Sequence, residues 1–124
     1  VIGRRCEQDC TIGEHFIPAM TNVLMSQWVV HRDERWFDHP AEFSPDRWTP
    51  EFAHSIPKYA YFPFGGGPRA CIGSQFAMLE AVLILATMAQ RIDLQLIDRE
   101  PLPILPAITL RPAKPVGMRV KFRT

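Results

Sequence analysis

Phe62-Pro63-Phe64-Gly65-Gly66-Gly67-Pro68-Arg69-Ala70-Cys71-Ile72-Gly73 is the stretch on which the reading of this chain turns. Three consecutive glycines open positive φ and let the backbone approach a flat ligand closely. The run that follows, Ser74 to Gln90, has no Pro or Gly and is dominated by Ala, Leu and Met, which predicts a helix. Cys71 therefore stands at the mouth of a helix. The positive end of the helix dipole and the unpaired N–H groups there favour thiolate over thiol, and thiolate is the form that ligates a metal. Arg69 can clamp a carboxylate with its fork. Phe64 can pack on the sulfur and keep water from it, which tunes a metal centre. The local chemistry is that of a thiolate ligand beside an anionic, planar cofactor.

Working outward, Ala81-Val82-Leu83-Ile84-Leu85-Ala86 is apolar on almost every face. A helix of that kind belongs in the centre of a larger protein, and 124 residues with this much coil cannot surround it. The chain begins at Val1 in mid-pattern, and we expect it to be cut from something longer. Twelve prolines fall between residues 18 and 68 and between 101 and 115, regions expected to hold loops and short strands. Residues 1–30 read as strands and turns, with Val23-Leu24-Met25 a short buried strand, and Gln27 to Arg32 as a short helix. Residues 40–70 read as a long coil, unusual unless function holds it. Strands are expected at Asp93–Ile97 and Ile108–Leu110. A half-buried one is expected where Val116, Met118, Val120 and Phe122 alternate with Gly and charge. The fold class is α+β.

A net charge of +1, from 14 Lys+Arg against 13 Asp+Glu, gives no case for nucleic acid or an anionic membrane. No apolar run reaches the roughly 18 residues of a membrane span. Hydrophobic residues make up 47%, a globular content. Three cysteines do not make a disulfide framework. Cys6 and Cys10, read on one strand, would lie roughly 13 Å apart, too far to bridge. Reduced, cytosolic thiols are expected. Cys6, Cys10 and His15 lack a fourth ligand for zinc. His31-Arg32-Asp33 has Asp38 where a kinase loop needs Asn, and no Gly-Lys-Ser/Thr follows the glycines to make a phosphate cradle.

The string from Phe64 to Gly73 resembles the haem-binding signature of the cytochrome P450 family, the haem-thiolate monooxygenases. That signature is Phe-Gly-x-Gly-x-Arg-x-Cys-x-Gly, and every fixed position is met. The resemblance runs along nearly the whole chain. Arg4 to Asp9, with Ile12-Gly13 and Ile17-Pro18, looks like the strand pair before the family's meander. His31-Arg32-Asp33, Trp36, Pro40 and Phe43 to Trp48 look like the segment ending in Pro-Glu-Arg-Phe, with Asp46 and Trp48 as departures. Thr109-Leu110-Arg111-Pro112 resembles the closing strands. The resemblance implies the C-terminal third of a mainly α fold. Residues 1–124 would be one partial domain, with the haem-binding loop and its helix over residues 60–90.

It also implies roles. Cys71 would be the axial ligand to the iron of haem b (iron protoporphyrin IX), donating charge that favours O–O cleavage. Arg69 and Arg4 would pair with propionates, with Arg5 a rival for the second. Pro63, Phe64, Gly65, Ile72, Gly73 and Ala77 would line the cofactor, Phe64 beside the sulfur and Gly73 where the helix packs on the haem. Arg47 would belong to a buried ionic network whose Glu-x-x-Arg helix is absent from this sequence, leaving its charge unpaired at a cost. Val1, Ile2, Ala107 and Ile108 would touch a lipophilic substrate.

The implied reaction inserts one atom of O2 into that substrate and reduces the other to water. Electrons would come from NAD(P)H through a separate flavoprotein reductase, with or without a ferredoxin, and Lys58 is a candidate for greeting an acidic partner. A bacterial-style cytoplasmic enzyme is expected, although a lost N-terminus could carry a membrane anchor. Two other readings share the signature: a haem-binding relic without activity, and a peroxygenase or isomerase that needs no external electrons. The family's oxygen-activating helix is not in this sequence, so the chain alone is expected to be inactive.

Overall fold

Four short strands open the chain: β1 (Ile2–Arg5), β2 (Cys10–Ile12), β3 (His15–Ile17) and β4 (Asn22–Met25). The computed structural model describes residues 1–98, 100–107 and 109–123. They fall into two compact units, Val1–Ala70 and Cys71–Thr124.

In the first unit β1 pairs antiparallel with β4, from Ile2 opposite Met25 to Arg5 opposite Asn22. β2 and β3 form a hairpin, with Ile12 opposite His15. Its two-residue turn has Gly13 at φ +60° and no positive φ at Glu14, the pattern of a type II′ turn. The strand expected at Val23–Met25 is present but not buried: Leu24 is 70% exposed, because a two-stranded ribbon offers it no second layer.

The strand expected through Cys6 and Cys10 is overturned. β1 stops at Arg5, and the Cys6 N–H donates to the Thr21 carbonyl (2.9 Å) while its own carbonyl accepts from Met20 N–H (2.7 Å). The Asp9 carboxylate accepts from Ala19 N–H at 2.7 Å. The resulting turn folds the two thiols to an Sγ–Sγ distance of 3.7 Å.

α1 (Gln27–Val30) begins where the Ser26 hydroxyl accepts from Val29 N–H. The segment expected as coil contains a 3-10 turn at Pro45–Arg47, helix α2 (Pro50–Ser55) and a 3-10 turn at Gly67–Arg69. α2 is started by the Thr49 hydroxyl, which accepts from Phe52 N–H at 3.1 Å, with Pro50 in the first helical turn. Six residues are too few to show a period, which is why the pattern missed it. Among the described residues only Phe37 and Ala60 are buried, each 3% exposed. Around Phe37 the rings of Trp48 and Phe52 lie at 6.3 and 6.0 Å. Trp48 lies 4.4 Å from Tyr61, and Tyr61 lies 4.7 Å from His31. This aromatic chain ends at the haem-loop sequence. Arg47, expected as an unpaired buried charge, is half-buried and donates to the carbonyls of Asp38 and His39.

The second unit is built on α3 (Ser74–Arg91), one residue longer than expected, followed by β5 (Ile92–Leu96), β6 (Ile104–Leu105), β7 (Arg111–Pro112) and β8 (Met118–Phe122). β5 and β8 pair antiparallel from Ile92 opposite Phe122 to Leu96 opposite Met118, tied by an Arg123–Asp93 ion pair. β6 and β7 form a second ribbon. Of the strand expected at Ile108–Leu110, Ile108 lies outside the described residues, and Thr109 and Leu110 precede β7 without joining it. The alternation in β8 buries neither face: Val120 is 49% exposed. No residue of α3 is buried, and Leu85 is 66% exposed. No helix among the described residues is long and apolar enough to cross a membrane.

Candidate functional site

The three glycines of the loop do different things. Gly65 (φ +78°) and Gly67 (φ +69°) hold left-handed backbone, which an L side chain resists. Gly66 is extended, and a Cβ there would meet the Tyr59 ring at 2.7 Å. The close approach expected of a flat ligand is thus made at Gly66 by the chain's own tyrosine. Tyr59 also carries Lys58, whose Nζ sits 5.3 Å from the ring centroid. The loop closes through Gly65 N–H to Phe62 carbonyl and Ala70 N–H to Gly67 carbonyl, both 3.0 Å.

His31 anchors the start of this loop, a residue to which the sequence reading gave no role here. Its Nε2 accepts a hydrogen bond from Phe62 N–H at 2.9 Å, and its ring lies 5.2 Å from that of Phe62, edge to face. Burial, helped by the neighbouring charge of Arg32, lowers its pKa below the ordinary 6.5, which favours the neutral ring this bond requires. The two residues are 31 positions apart, so no local spacing signals the pair.

A cavity of about 700 Å³ lies in the first unit, lined by Ile2, Leu24, Val29, Tyr59, Phe62 and other largely apolar groups, with Arg4 its one charged residue. Its volume falls in the range of ligand pockets, about 300–1,000 Å³. Strand alternation puts Arg4 on the face of Ile2 and turns Arg5 to the other, and Arg5 does not line the cavity. Among the described residues the Arg4 guanidinium donates only to the Gly3 carbonyl. Arg69 is exposed and has no side-chain hydrogen bond or ion pair among the described residues. Phe64 and Gly65 are half-buried and Pro63 exposed, and none of them lines the cavity. Of the expected substrate contacts, Ile2 lines the cavity, Val1 is exposed and does not line it, Ala107 is exposed in the second unit, and Ile108 lies outside the described residues.

In the second unit Cys71 is a free, exposed thiol two residues before Gly73, the N-cap of α3, and no side chain caps that helix end. The Cys71 carbonyl accepts from Ser74 N–H (3.4 Å), and Gly73 accepts from Ala77 N–H (2.9 Å). A Cβ on Gly73 would lie 3.9 Å from the Cys71 sulfur, an ordinary contact. Gly73 and Ala77 are half-buried while Ile72 is fully exposed. Each unit by itself carries groups that suit haem: the second a soft, accessible sulfur at Cys71, the first two guanidiniums, Arg4 and Arg69, without carboxylate partners among the described residues, and an apolar-walled cavity. Cys6 and Cys10 acquire no third metal ligand, since no group of three His, Cys, Asp or Glu is assembled among the described residues.

The comparisons with known proteins agree. The family model for Cytochrome P450 matches residues 1–120. Cytochrome P450 4c3 of Drosophila melanogaster is 36% identical over 98% of this chain and 23% of its own length. Cyclooctatin synthase of Streptomyces melanosporofaciens is 44% identical over 71% of this chain and 19% of its own. The crystal structure of the cytochrome P450DA heme domain superimposes with a TM-score of 0.84 at 36% identity, over 94% of this chain and 26% of that one. The chain thus spans about a quarter of the length of the relatives it matches. With the signature, the fold and these matches in hand, the chain is a member of the cytochrome P450 family, the haem-thiolate oxidoreductases.

Proposed function

We propose that residues 1–124 form one part of a P450 monooxygenase domain and supply the thiolate side of its haem site. The observation that carries this is Cys71, an exposed thiol two residues before the N-cap of α3, which no side chain caps, preceded in sequence by the signature's glycines, of which Gly65 and Gly67 hold left-handed backbone. In this reading haem, when bound, supplies the iron at which O2 is activated, one oxygen atom going to an apolar substrate and the other to water. Cys71 would ligate the iron through its sulfur, from a position two residues before the N-cap of α3. Arg69 and Arg4 receive the carboxylates. Phe64 shields the sulfur, and Gly73 and Ala77 keep the helix face shallow. Ile2 contributes an apolar contact on the substrate side. The reading includes electrons from NAD(P)H through a separate flavoprotein reductase, with or without a ferredoxin, and a cytoplasmic host, which the odd cysteine count favours.

The test is the reduced carbon-monoxide spectrum of the full-length protein. We expect the strongly red-shifted Soret band of a cysteinate-ligated haem, lost in Cys71→Ser. Persistence of the shift in that variant overturns the assignment.

A further inference from the structure

Cys6 and Cys10 have no part in the haem site, yet the fold brings them together with some care. Cys6 is fixed by two backbone bonds to Met20 and Thr21. Cys10 is fixed by the β2–β3 ladder opposite Ile17. The residues between them are held by the Asp9 carboxylate on Ala19 N–H. Met20 sits at φ +67° to make this possible, a conformation that a non-glycine residue adopts only when its surroundings hold it. Both thiols are half-buried and free, with their sulfurs 3.7 Å apart.

We propose that Cys6 and Cys10 are a redox-sensitive dithiol that hydrogen peroxide converts reversibly to an intramolecular disulfide. One sulfur, as thiolate, attacks a peroxide oxygen. The O–O bond breaks, a sulfenic acid forms, and the departing hydroxide takes up that thiol's proton to leave as water. The second sulfur attacks the first, the S–S bond forms, and the S–O bond breaks, releasing a second water with the remaining thiol proton. Two electrons pass from the pair to the peroxide. The backbone anchors hold the second sulfur ready, so the sulfenic acid is trapped before further oxidation. Burial, and then the hydrogen bond and charge of Cys10, hold the Cys6 thiol above its ordinary pKa, in keeping with two sulfurs in one partly enclosed place.

The test stands apart from the haem assignment. The native full-length protein is treated with dilute peroxide, quenched with iodoacetamide and digested with trypsin. One peptide, Cys6–Arg32, carries both cysteines, and Cys71 falls in another, Ala70–Arg91. The expected product is a Cys6–Arg32 peptide lighter by two hydrogens and without alkyl groups, which dithiothreitol returns to the doubly alkylated form. Cys6→Ser and Cys10→Ser should each leave the remaining sulfur without a partner, and the one that peroxide attacks should advance to sulfinic acid under the same dose. Full alkylation of both cysteines after peroxide, or sulfinic acid on either in the unmodified sequence, overturns the proposal.

Discussion

His31 carries the clearest single-residue consequence. The fold needs its Nε2 unprotonated to accept from Phe62 N–H, and its pKa is lowered from 6.5 by burial and then by Arg32. The unfolded chain therefore binds the proton first as pH falls. The stabilisation is complete above the ordinary 6.5, begins to fall below it, and is gone once pH passes below the folded-state value. Urea midpoints of the full-length protein should thus drop between neutral and mildly acidic pH, and His31→Phe should be less stable at neutral pH with a flatter acid limb. A variant that keeps the wild-type slope would show that this bond does not couple to folding.

At the level of elements, α2 depends on its start signal. The Thr49 hydroxyl satisfies one N–H of a helix only six residues long, and that helix positions Phe52 against Phe37 and Trp48. Thr49→Ala should cost about 1 kcal/mol, read from denaturation midpoints, and Thr49→Ser should be nearly neutral. The sequence was most legible where a pattern is long. α3 was foreseen to within a residue because eighteen residues without Gly or Pro admit little else. The loop was legible because its glycines, arginine and cysteine are contiguous. α2 was too short for a period to show. The turn at Cys6–Cys10 was hidden because it is made by bonds to residues 19–21, a tertiary effect that overrode the apparent strand. The same holds for the grip of His31 on Phe62, which no spacing announces.

For the whole molecule, the surface is the dominant fact. Val82, Leu83, Ile84 and Leu85 are each more than half exposed along α3. Apolar area on that scale drives association. The isolated 124-residue chain should bind the dye ANS strongly and scatter light increasingly with concentration. A dye-silent monomer at high concentration would mean that the helix finds cover within the chain.

The occupied nitrogen of His31 has one more consequence. His15, His39 and His54 stand exposed, so an acylating reagent such as diethyl pyrocarbonate will reach those three first. The rate at which His31 is finally labelled then clocks how often the glycine loop lets go of its anchor, a stopwatch already installed in the chain.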